Sequence, residues 1–181
     1  MTDHPAPPHH TLLDGLLSAS GAELRERLEG GHRVTADALA GQAFRGVSLG
    51  LPAFVERLTW KTFCKTVHRD PATGALRGWN VRVEQTGVYG PVVYQRKREA
   101  PVTFGHFAVL DGPDGLVLDY GRGGNGLDPT ALVRDPVVAL VEGSIELLLG
   151  RSDVALGGLR LRTPSYFVLQ PAGPLDHDAS P

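Results

Sequence analysis

The chain has 181 residues, of which 41% are hydrophobic and 21% charged, and its formal net charge is −2. That length suits one ordinary domain with a sizeable core. The charge excludes the global basic field that draws a protein onto nucleic acid or anionic lipid. A single cysteine, Cys64, excludes an intramolecular disulfide and cannot build a zinc site alone. No metal and no cofactor are expected. With neither a basic-then-apolar leader nor a run of roughly 18 apolar residues, the expectation is a cytoplasmic protein without a membrane span, as a monomer or homodimer.

Taken in chain order, residues 1–10 and 171–181 are rich in Pro, Asp and His or Ser and read as disordered tails. Residues 11–43 read as a helical segment packed on the β-rich remainder of the chain. Leu12, Leu13, Leu16, Leu17, Leu24 and Leu28 recur at helical spacing. Ser20 with Glu23 three residues on has the form of a capping box, and Gly30-Gly31 is a stop signal. A further short helix is expected over residues 35–40.

From Leu58 the period changes to two. Residues 58–68 and 76–85 alternate about the turn Asp70-Pro71-Ala72-Thr73-Gly74, and residues 92–98 form a basic strand. The pair 103–110 and 116–120, joined by Asp111-Gly112-Pro113-Asp114-Gly115, is the clearest hairpin. After a glycine-rich loop, Gly121–Gly126, Asp128 and Pro129 start one helical turn. Residues 136–141, 145–149, 153–156 and 159–169 complete the meander, the last two joined by Gly157-Gly158.

Such a train of hairpins must bury one face, and closure removes its edges. The expected fold is therefore mainly β: an antiparallel up-and-down meander over 44–170, closed into a small barrel with the N-terminal helices capping one end. This layout resembles the calycin-type barrels, the lipocalins and fatty-acid-binding proteins, across roughly Phe44 to Leu169. The resemblance is architectural. The Gly-x-Trp motif common on the first lipocalin strand is replaced by Phe44-Arg45-Gly46 and by Thr59-Trp60-Lys61, so it implies a fold and no residue roles.

A barrel interior can hold a ligand, and binding of a small hydrophobic or amphipathic molecule is the expected function. Trp60, Trp79, Phe104 and His106 are the expected lining, with Arg82 or Arg96 near a polar head. A second reading is an isomerase or cyclase acting on a hydrophobic metabolite, with His106 and Asp119 as acid and base. A third is a protein-interaction module that uses the basic strand face around Arg96, Lys97 and Arg98. The Gly121–Gly126 loop lacks the Lys-Ser/Thr of a P-loop and the crossover helix of a dinucleotide fold, and reads as barrel rim. Cys64 shares a face with Trp60 and reads as buried and inert.

Overall fold

In the computed structural model, residues 8–50, 61–113 and 115–177 are described. Two helices come first, α1 (Pro8–Leu17) and α2 (Gly21–Glu29), then a 3-10 turn at Ala36–Leu39. The strands follow as β1 (Gln42–Leu49), β2 (Thr62–Arg69), β3 (Leu76–Val81), the short pair β4 (Arg96–Lys97) and β5 (Ala100–Pro101), and β6 (Thr103–Gly112). After them come β7 (Gly115–Asp119), β8 (Val133–Ala139), β9 (Leu148–Arg151), the hairpin β10 (Asp153–Leu156) and β11 (Leu159–Leu161), and β12 (Tyr166–Pro174).

Eight of these strands close into an antiparallel barrel. The ring runs β1-β2-β3-β6-β7-β8-β9-β12 and back to β1, each strand beside its successor in the chain. The pairs β4–β5 and β10–β11 are excursions from this meander. The Ser20 capping box is formed, with Glu23 accepting from the Ser20 amide at 2.7 Å and the Ser20 hydroxyl accepting from the Glu23 amide at 3.3 Å.

Strand alternation sends one set of side chains inward. Phe44, Val67, Leu76, Phe107, Val109, Leu116, Leu118, Val137, Leu148 and Leu169 form one buried cluster. Val34, Ala36 and Leu39, in and before the 3-10 turn, join it and plug one end. The opposite set packs outward. Leu13, Leu16, Leu24 and Leu28 of the helices cover Val47, Leu49, Leu149 and Val168 on the outer wall.

Three cross-strand pairs inside the barrel match a glycine with a phenylalanine: Gly46 with Phe63, Gly78 with Phe107, and Gly150 with Phe167. A Cβ on any of the three glycines would collide with its partner's ring. Each ring lies over its glycine and restores the contact that the missing side chain gives up. A fourth glycine, Gly105 (φ 52°), sits where the β3–β6 register shifts, and a Cβ there would lie 2.8 Å from Asn80 Nδ2. The bulge turns Phe104 inward and His106 outward.

The elements depart from a simple alternating meander in four places. β1 shows no simple alternation because its inner face meets the barrel core and its outer face the helices. The basic strand expected over 92–98 shrinks to the exposed two-residue β4; before it, Val92 and Tyr94 pack against Trp79, Val81 and Val83, with a single bridge from Tyr94 to Val83 in place of a ladder. The segment 159–169 splits, with β11 pairing only β10 and β12 joining the barrel wall. β12 also runs to Pro174, past the expected start of a tail, and the Leu175 amide donates to Gly41 O at 2.8 Å. Among the described residues no helix is long and apolar enough to cross a membrane.

Candidate ligand cavity

The end of the barrel away from the 3-10 plug is hollow. A cavity of about 250 Å³ opens there, lined by Phe63, Phe104, Val133 and Phe167 together with Lys65, Asn80, Tyr120, Thr130 and Asp135 and several serines. Its volume lies just below the roughly 300–1,000 Å³ typical of small-molecule sites. A small ligand is what it can take.

The floor is polar and buried. Lys65, on the inward face of β2, is 4% exposed, and Asp135, on the inward face of β8, is 1% exposed. Lys65 Nζ lies 3.3 Å from Asp135 Oδ2 and 3.0 Å from Asn80 Oδ1, and it also donates to the Tyr120 hydroxyl. Asn80 Nδ2 donates to Gly105 O at 3.0 Å and to the Tyr120 hydroxyl at 3.2 Å, so the bulge at Gly105 orients the amide. Around the ammonium stand four rings, those of Phe63, Phe107, Tyr120 and Phe167, with centroids 5.0–5.4 Å from Nζ. Three of them are the rings that the glycine pairs accommodate. The small residues of the wall thus create the space in which an aromatic cage closes on Lys65.

Burial sets the electrostatics. It pushes the Lys65 ammonium below its usual range, opposed by the Asp135 charge. It pushes the Asp135 carboxyl above its usual range, opposed by Lys65. The Tyr120 phenol is driven well up for the same reason, with Asp135 adding to the effect. Asp135 Oδ1 has no hydrogen-bond partner. Ser152 and Tyr120 are near enough to favour the charged carboxylate, but neither reaches Oδ1 with ordinary geometry.

The residues singled out from sequence are distributed differently. Phe104 lines the cavity, and the exposed Arg82 guanidinium stands 5.8 Å from its ring centre, at the rim. Arg96 is exposed and donates to Glu99 O, away from the lining. Trp60 lies outside the described residues. Trp79 and His106 stand on the outer wall, because β3 alternation gives the inside to Gly78 and Asn80 and the Gly105 bulge rotates His106 out. There Trp79 donates to His177 Nε2 at 3.2 Å and packs against His68 and His106.

Asp119 is held by Arg134 at 2.9 Å and accepts from the Arg122 amide. Among the described residues no hydrogen bond or ion pair joins it to His106. The His106 backbone pairs instead with the Asn125 side chain, whose Oδ1 accepts at 2.8 Å and whose Nδ2 donates at 2.7 Å. That contact extends the β6 ladder where β7 ends, and a Cβ at Gly123 would collide with His106 O. The glycine-rich loop is pinned to the wall. Cys64 is fully buried on the outer wall, and burial pushes its thiol up to about 12.

The floor residues carried signals too quiet to read alone. Lys65 and Asn80 stand on alternating strand faces, Lys65 among basic residues that sequence assigns to solvent, and Asp135 falls between the helical turn begun at Asp128 and the strand expected from residue 136. No protein-family model, curated protein or solved structure matches the chain. The site must speak through its own geometry.

Proposed function

We propose that the barrel binds a small, mainly apolar molecule in its hollow end, with the molecule's polar group at the Lys65–Asp135 floor. One observation carries this reading. A charged pair is buried inside an aromatic cage at the base of an open cavity, where an apolar filling would have been as stable or more so. Phe63, Phe104, Val133 and Phe167 supply the apolar walls. A lipocalin-like carrier is one analogue of this architecture, and the closed eight-stranded meander supports that comparison at the level of fold alone.

The experiment is native mass spectrometry of the protein purified from its own host. The expected result is a small molecule bound one to one and released on unfolding. A protein that carries the mass of the chain alone, and whose cavity admits no benzene in solution, contradicts the proposal.

A further inference from the structure

We infer that the molecule taken by this cavity presents a neutral hydroxyl, as an alcohol or phenol on a small apolar body, to Oδ1 of Asp135. The inference rests on the cavity being a binding site, and it comes from which polar atoms on the floor are already engaged. An ammonium has three N–H donors and no acceptor. Those of Lys65 meet Asn80 Oδ1, the Tyr120 hydroxyl and Asp135 Oδ2. An amide nitrogen has two, and those of Asn80 meet Gly105 O and the Tyr120 hydroxyl. Neither side chain has a donor left for a carboxylate or phosphate. Asp135 Oδ1, in contrast, is buried and meets no donor at hydrogen-bond geometry, and the Thr130 hydroxyl on the same lining is likewise without a partner, so the open groups are one acceptor and one hydroxyl. A buried acceptor without a donor is costly, and a ligand O–H removes that cost.

Charge narrows the class further. Lys65 and Asp135 together make the floor neutral, so either sign of ion is desolvated without an opposite charge to spare. A ligand anion would face the bare oxygen of Asp135. A ligand cation at Oδ1 would share that carboxylate with Lys65, whose Nζ is 3.3 Å from the other oxygen. A hydroxyl meets neither conflict. No arginine reaches the floor: Arg82, expected near a polar head, stands at the rim, and Arg96 lies away from the lining.

Titration calorimetry and NMR at neutral pH with 2-phenylethanol, 2-phenylethylamine and phenylacetate, which share one apolar body, test this. The expected result is 2-phenylethanol binding at least tenfold tighter than either ion, with shifts in the Phe104 and Phe167 ring resonances. Equal or tighter binding of either ion overturns the inference while leaving the cavity reading intact. Binding of none of the three overturns both. The variant K65M/D135V, with the floor made apolar, is expected to prefer ethylbenzene to 2-phenylethanol. If it keeps wild-type affinity for the alcohol, the inference is overturned; if it does not fold, the wild-type series decides.

Discussion

The two ends of this barrel are built from the same eight strands and do opposite things with them. At the plugged end, Leu76, Val109, Leu116, Val137, Ala139, Leu148 and Leu169 meet Val34, Ala36 and Leu39 in a filled apolar layer. At the hollow end the same inward positions carry Lys65, Asn80 and Asp135, and the space above them stays open. Along β2 the change takes two residues, from Val67 to Lys65; along β8 it takes two, from Val137 to Asp135. A barrel can therefore be held together at one end and kept available at the other, because core packing and the buried pair lie in separate layers of one strand set.

The largest effect is expected where the hollow end is broken without compensation. Asp135→Ala removes the carboxylate that opposes the burial penalty on the Lys65 ammonium, at a cost of roughly 3–5 kcal/mol in urea unfolding. A loss under about 1 kcal/mol would mean that water already reaches the pair. At the plugged end, Leu116→Ala, which empties a fully buried site between β7 and the core, is expected to cost about 2–5 kcal/mol. Ligand occupancy should survive it, since Leu116 is not among the cavity-lining residues. Loss of binding together with stability would show the two ends to be one cooperative unit.

Smaller effects lie off the barrel axis. Ser20→Ala removes the α2 cap and is expected to cost about 1 kcal/mol with no change in binding. His106, on the outer wall, responds to pH. Partial burial holds its imidazole below the ordinary value, so in the window just under about 6.5 the unfolded chain binds more protons than the folded one. Stability should rise with pH through that window and fall as the solution is acidified. His106→Gln should flatten this dependence in urea titrations between pH 5 and 7.5. An unchanged slope would assign the dependence to another group.

The sequence was readable where one face of an element meets water. The β6–β7 hairpin, the Ser20–Glu23 box and the Asp128-Pro129 turn all arise from local chemistry that needs no partner, and all form. β1 was not readable, because it is covered on both faces. The site was legible only in part. Phe104 lies on the cavity wall, while counting in twos draws His106 to the same face, where it does not stand. One glycine bulge inserts an extra residue and reverses everything beyond it. Lys65 and Asp135 are separated by 70 residues and look like solvent-face charges until the barrel closes. The glycines Gly46, Gly78 and Gly150 were a further signal, since glycine inside a strand marks a close approach. Only the register reveals that each faces a phenylalanine.

On the proposed function, the buried pair is kept for a ligand and not for stability. Replacing both members at once tests it most directly, by comparing K65M/D135V with wild type in urea unfolding and native mass spectrometry of protein from the same host. The expected result is a variant at least as stable as wild type, or more stable by about 1–4 kcal/mol, that no longer carries the small molecule. A variant that loses several kcal/mol, or one that keeps the bound molecule at wild-type occupancy, would contradict the account.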